Sequence, residues 1–386
     1  MPPASPVESV MPSSVLSLRS ALVAGLLTLA AAPMAAQQRP PADRPVMSFE
    51  AYDPRSTLKV PGGEVLRARF PFIDIHNHQP RRTVASVDSL VGQRDALNLR
   101  IMVDLSGGTG DALAEKVRTY RTKQAGRFVV FANLDFRGID APDWSAKAAA
   151  QLERDVKVGG AQGLKIFKNL GMDVRDAQGR RFPTNDPKFD PIWAKAGELG
   201  IPVLIHTAEP AMFFEPVDER NERWLELTLY PGRRRPVPEN PAFEPLMAEQ
   251  HDVFRKHPKT TFINAHLGWY GQDLVRLGQL MERYPNMVTE FGAVIYEPAR
   301  QPKFARQFFI KYQDRILLGK DSWVPDEYKT YFRVLESGDE YFPYHKKYHA
   351  FWSMYGLELP DEVLKKVYYK NALRIVPGLD AKAFPR

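Results

Sequence analysis

Eight short runs of apolar, largely β-branched residues recur along the chain and constrain its fold more than any other feature. They read FPFIDIH (70–76), LRIMVDL (99–105), RFVVFANLD (127–135), GLKIF (163–167), IPVLIHT (201–207), TTFINAH (260–266), NMVTEFG (286–292) and RILLGKD (315–321). Amphipathic stretches such as DALAEKVRTYRTKQ, WSAKAAAQLERDVKVG, DPIWAKAGELG and LVRLGQLMERYP lie between them. Near-continuous apolar strands alternating with such helices predict a parallel sheet buried on both faces. Eight strand–helix units over roughly 250 residues predict an α/β fold, the (β/α)8 TIM barrel. An open doubly wound sheet is the alternative, although no glycine-rich phosphate fingerprint follows the first run.

A barrel of this kind places its active site at the C-terminal ends of its strands. The first run ends in His76 and His78, the fifth in His206, the sixth in His266 and the eighth in Asp321, and the fourth carries Lys165. In a strand, residues two apart face the same way, so His76 and His78 should project together. Each residue also has a plain structural reading. His206 and His266 can be hydrogen-bonded barrel histidines, and Asp321 can cap the following segment. Together, four histidines and an aspartate at one rim point to a shared metal and a reacting water.

The remaining four of the eight histidines read differently. His251 and His257, in EQHDVFRKHP, are expected at the surface. His345 and His349 belong to an aromatic segment, YFPYHKKYHAFWSMY (341–355). That segment and the long stretch after His206 are expected to shape a substrate pocket, or else to cover apolar surface or form a subunit contact. Lys168 is read as an exposed loop residue.

The chain contains no cysteine, which excludes thiolate metal sites, a cysteine nucleophile and lipid anchoring through an N-terminal cysteine. The net charge is +7, but acidic and basic residues are interspersed. The one compact basic run, Arg233-Arg234-Arg235, reads as a solvated loop, and no nucleic-acid partner is expected. Arg19 followed by ALVAGLLTLAAAPMAA has the form of an export signal, cleaved near Ala35 or Ala36. An uncleaved N-terminal anchor is the alternative, and Met11 is a second possible start. The expected organisation is a signal over 1–36, a leader over 37–64 and the barrel over 65–386, with the product exported to a bacterial periplasm and free of a stable membrane span.

FIDIHNH, GLKIF, PVLIHT, TFINAHLG and RILLGKDS resemble the amidohydrolase superfamily, in the branch containing aminocarboxymuconate-semialdehyde decarboxylase and related hydrolases. YYKNALRI (368–375) resembles that branch's terminal helix, and the likeness covers about residues 65–378. The resemblance implies that His76, His78 and His206 are metal ligands, that Asp321 is a ligand or proton-transfer base, and that His266 is a second catalytic group. It also offers two readings of Lys165. In binuclear members a strand-four lysine is carboxylated and bridges two metals; in mononuclear ones such a lysine is free to contact a substrate carboxylate, which is the reading favoured here. Glu290 in VTEFGA and the segment SWVPDEY depart from the branch's usual pattern and leave the substrate open.

Neutral imidazoles with a carboxylate suit one Zn2+, and Mn2+ or Fe2+ are compatible with the same donors. The expected activity is metal-dependent hydrolysis of an amide, ester or lactone bond in a small substrate, with aromatic walls and nearby basic residues favouring an aromatic or carboxylate-bearing one. Non-oxidative decarboxylation is the second enzyme reading, and a non-catalytic ligand-binding barrel the third. A homodimer is expected by analogy with the family.

Overall fold

Seven of the eight apolar runs yield one buried strand and the other yields a strand in two pieces. The computed structural model describes residues 47–80 and 84–385; the export segment lies outside them. The strands are β1 (Phe72–Asn77), β2 (Leu99–Asp104), β3 (Phe128–Val130 and Ala132–Asn133), β4 (Leu164–Ile166), β5 (Val203–Ile205), β6 (Phe262–Asn264), β7 (Met287–Glu290) and β8 (Ile316–Leu317). β1, β4, β5, β6, β7 and β8 are buried along their whole length. Burial on both faces explains why these strands show no polar alternation in sequence.

Each strand pairs in parallel with the next, with registers such as Val103↔Val129, Lys165↔Leu204 and Ile263↔Val288. At the break in β3, Phe131 N donates to Asp104 O at 3.0 Å on one side, while Ala132 N donates to Gly163 O at 2.8 Å on the other. Gly163 is required there, because a Cβ would lie 2.4 Å from the Phe131 ring. The last strand returns to the first: Ile75 N donates to Leu318 O at 2.9 Å and Asp321 N to His76 O at 2.6 Å. These bonds complete the ring of a (β/α)8 barrel.

The crossover helices are α1 (Val84–Leu97), α2 (Gly110–Gln124), α3 (Trp144–Lys157), α4 (Asp190–Glu198), α5 (Phe243–Lys256), α6 (Leu274–Arg283), α7 (Pro302–Lys311) and α8 (Pro325–Glu336). Their apolar stripes close the barrel from outside; α6, for example, buries Leu274, Leu277 and Met281. Asn371, in the terminal helix Asn371–Ile375, donates to Gln313 O and Ile316 O at 2.7 and 2.8 Å and ties that helix to β8. No helix of the described residues is long and apolar enough to cross a membrane.

Two histidine assignments change. His251 is buried on α5, stacked against Tyr270 and Tyr284, rather than at the surface. Its neighbours in sequence are polar, which hides the fact that its own helical position faces inward. His257 is half-buried, with Nε2 2.9 Å from the Asp190 carboxylate.

Candidate active site

The end of β1 delivers both of its histidines to one point. His76 Nε2 lies 3.3 Å from His78 Nε2 and 3.1 Å from Asp321 Oδ1, and His78 Nε2 lies 3.6 Å from that same oxygen. Ligand atoms of His76, His78 and Asp321 all fall within 4.8 Å of one another, a grouping that can hold a metal ion; His76, His266 and Glu290 form a second. Asp321 reaches this position from a left-handed backbone, φ +78°, directly after β8.

The hydrogen bonds fix which nitrogens face inward. The fully buried His76 donates from Nδ1 to Glu290 Oε1 at 2.9 Å, which leaves a lone pair on Nε2. His78 places Nδ1 2.9 Å from Ser106 Oγ, and donation there leaves its Nε2 bare as well. Two lone pairs and a carboxylate oxygen then crowd one small space. Such crowding is repulsive unless a proton or a metal cation lies between them, and the convergence of three donor atoms on one point fits a metal.

His206 and His266 continue the pattern. His266 donates from Nδ1 to Gly292 O at 2.6 Å, and its Nε2 lies 3.3 Å from His206 Nδ1. With His206 Nδ1 donating to His266, the His206 Nε2 is a bare lone pair, and it is buried without a partner. His206 is nevertheless outside both metal-holding groupings. The segment Ala265–Trp269 after β6 carries His266 through a left-handed turn, with φ +58°, +54° and +57° at His266, Leu267 and Trp269. Bulky residues rarely hold that conformation, and such strain concentrates at functional sites. Trp269 stabilises the turn by donating from Nε1 to Thr207 O at 2.9 Å.

Electrostatics favour neutral imidazoles at His78, His206 and His266; at His76 burial and Lys165 pull the pKa down, but Glu290 and Asp321 outweigh them and raise it. Burial pushes His78 down to about 3 and His266 to about 4, and drives His206 well below its ordinary value. Burial would raise the Glu290 carboxyl, yet His76 and the His266 amide hold it down at about 2. Lys165 on β4 is fully buried, its Nζ has no hydrogen-bond partner, and burial pushes it down to about 8.

Glu290 is the residue of this site that sequence reasoning undervalued. It stands out in VTEFGA only as a departure from a family pattern, whereas in the fold it accepts from His76 and, at 2.8 Å, from His266 N. A carboxylate ending an otherwise apolar strand was the available signal.

Above the floor a cleft of about 430 Å³ opens, with His206, His266 and Asp321 at its base. Its walls come from both long segments: Glu209, Arg233 and Arg235 from the stretch after β5, and Lys346, Tyr348 and His349 from the aromatic stretch. The aromatic stretch is pinned by the hairpin strands β9 (Phe342–Pro343) and β10 (Ser353–Met354). Buried Arg223 joins the two segments, donating to Tyr296 OH at 2.6 Å and packing near Phe213, Tyr296 and Trp352. Two expectations are corrected here: Arg233 and Arg235 line the cleft instead of forming a solvated loop, and Lys168 is a half-buried cleft residue paired with Glu209. Local sequence shows the charge of such residues but not the distant segment they face.

A family profile described as amidohydrolase matches residues 68–378. Among solved structures, a dihydroxybenzoic acid decarboxylase from Polaromonas sp. JS666, with bound manganese and the inhibitor 2-nitroresorcinol, is similar at a TM-score of 0.51 and 15% identity, covering 81% of this chain and 99% of that one. An uncharacterised TIM-barrel protein from Bordetella bronchiseptica is similar at 0.50 and 15%, covering 79% and 97%. No curated protein matches the chain. The profile spans the whole barrel, from just before β1 to just past the terminal helix, and so takes in every residue of the rim: the chain belongs to the amidohydrolase family of metal-dependent enzymes.

Proposed function

We propose that the chain is a metal-dependent hydrolase that cleaves an amide, ester or lactone bond in a small substrate. The observation that carries this reading is the convergence of His76 Nε2 and His78 Nε2 on Oδ1 of Asp321, a residue at the base of an open cleft. His76, His78 and Asp321 would hold one divalent cation, with the bare Nε2 of His206 as a further donor. Zinc suits nitrogen donors with a carboxylate, and manganese or iron is compatible with them. When bound, such a cation supplies Lewis acidity and brings the pKa of a water toward neutrality.

The chain's own groups account for the proton. The Asp321 side chain is 36% exposed, so a water in the cleft can reach it. Burial would raise its pKa, but a proton on His76 Nε2 holds it well below the ordinary carboxylate range through a hydrogen bond and charge, and a metal cation in that proton's place would act in the same direction. An ionised carboxylate in that place is a base, which suits removal of a proton from attacking water. His266 Nε2, the neighbouring acceptor on the cleft floor, is the second position for a proton in transit to the leaving group. Lys165, buried and without a partner, stands as a candidate contact for a substrate carboxylate, and as a carboxylated bridge only if a second metal binds.

Decarboxylation is the second reading, supported by the name of the similar Polaromonas structure and by the basic residues of the cleft, which suit a carboxylate substrate. The two separate in a product assay. Metal-reconstituted protein is offered a panel of esters, lactones, amides and hydroxybenzoates in 18O-labelled water. Label in a carboxyl product, lost on chelation, supports hydrolysis; release of carbon dioxide with no labelled carboxyl product supports decarboxylation and refutes the first reading. Turnover that persists after the metal is stripped refutes both.

A further inference from the structure

The walls of the cleft hold more positive charge than structural pairing requires. Glu209 accepts from both Lys168 and Arg235, the latter at 3.2 Å. Glu226 is shared in the same way by Arg223 and Arg233. Glu327, on α8, takes Lys320 at 2.5 Å and lies 3.8 Å from Lys346. In each group one carboxylate faces two cations; one group of the opposite balance, Arg300 shared by Glu222 and Glu297, lies beside Arg223.

Exposure shows where that surplus points. Lys168 and Arg233 are 40% and 42% exposed, while their carboxylates Glu209 and Glu226 are 8% and 1% exposed. The acids lie beneath and the cations stand in front, lining the cleft with Arg235 and Lys346. Pinning the long segment in place would need only one cation for each acid. Five cations (Lys168, Arg223, Arg233, Arg235 and Lys346) line the cleft against three carboxylates (Glu209, Glu226 and Asp321). Such an excess of one sign between low-dielectric walls concentrates ligands of the opposite sign, and guanidinium forks match the oxygen pairs of carboxylate and phosphate.

We propose that Lys168, Arg233, Arg235 and Lys346 form an anion subsite, so that the substrate carries a carboxylate or phosphate group remote from the bond presented to Asp321. This rests on the reading of the cleft as the substrate site. It does not depend on whether the reaction is hydrolysis or decarboxylation.

Calorimetric titration of the full, metal-loaded chain with glutarate, inorganic phosphate and the neutral glutaramide tests the subsite directly. Glutarate or phosphate should bind, glutaramide should not, and raising the salt concentration should weaken the binding. Arg235→Gln and Arg233→Gln should each weaken it at least tenfold while their thermal unfolding stays near that of the parent chain. Tighter binding of phosphate than of glutarate identifies a phosphate-bearing substrate, and the reverse a carboxylate. Equal binding of glutarate and glutaramide, no binding of either anion, or full binding by the Arg233→Gln/Arg235→Gln double variant overturns the proposal. If these substitutions unfold the chain, Lys168→Gln, at an exposed wall cation, takes their place. Carboxylate and phosphate also ligate a bound cation, and a wall variant separates the two; unchanged binding in it overturns the proposal. Metal content of the same samples keeps the two readings apart, because anion binding without any metal would retain the subsite and remove the hydrolase.

Discussion

Glu290 Oε1 accepts a hydrogen bond from His76 Nδ1 at 2.9 Å, and both side chains are fully buried. The pair joins the ends of β7 and β1, and it sets the direction in which His76 presents Nε2 to His78 and Asp321. A carboxylate behind a ligating histidine fixes its tautomer and raises its basicity. Glu290→Gln keeps the shape and removes the charge, so metal affinity should fall by about 10–100-fold. Competition with a chromogenic chelator measures this, and an unchanged affinity would separate Glu290 from the site.

Gly319 protects that pair. A Cβ there would stand 2.2 Å from Glu290 Oε2 and 2.9 Å from the His76 Cβ. Gly319→Ala should therefore cost about 1–3 kcal/mol through overpacking and lower the metal content at the same time. Chemical denaturation and metal analysis of one preparation check both effects together.

Asp321 is the proposed first acceptor of the water's proton on the cleft floor. Asp321→Asn should lower turnover by about 10²–10⁴-fold, the range for loss of a positioned proton acceptor. The comparison is kcat for whichever panel substrate the parent chain converts, with unfolding temperature as the control for folding.

His251 gives the fold a pH dependence away from the active site. Burial, with Arg276 nearby, lowers it from its ordinary 6.5 to about 4. The folded value lies below the unfolded one, so between about 4 and 6.5 the unfolded chain binds a proton that the folded chain does not. Stability is therefore full above that window, falls as pH drops through it, and levels off below, with a contribution of about 3 kcal/mol at most. His251→Phe should flatten this part of the unfolding profile between pH 4 and 6.5; a profile identical to the parent's would assign the slope elsewhere.

All eight strands were legible in the sequence because a parallel strand buried on both faces leaves an unbroken apolar run. The trimmed ends, such as Ile316–Leu317 within 315–321, reflect backbone that leaves the ladder to aim side chains at the rim. The meeting of His76, His78 and Asp321 was legible for the same reason: strand ends in a barrel share one face, so position along a run implies position in space. Glu290 was seen but misjudged, since its meaning lies in a contact with a residue 214 positions away. The surplus charge of Lys168, Arg233 and Arg235 was hidden for a related reason. It depends on which acid each cation meets, and the Lys168–Glu209 pair spans 41 positions.

Metal content per chain, measured by plasma mass spectrometry on purified protein before and after His78→Ala, tests the central claim most directly. His78, just past β1, is more exposed than His76 within it, so its replacement leaves the core intact. About one divalent ion per parent chain, lost in the variant along with activity, is the result this account predicts. A parent chain that holds no metal when zinc or manganese is supplied, or a variant that holds as much as the parent, would contradict it.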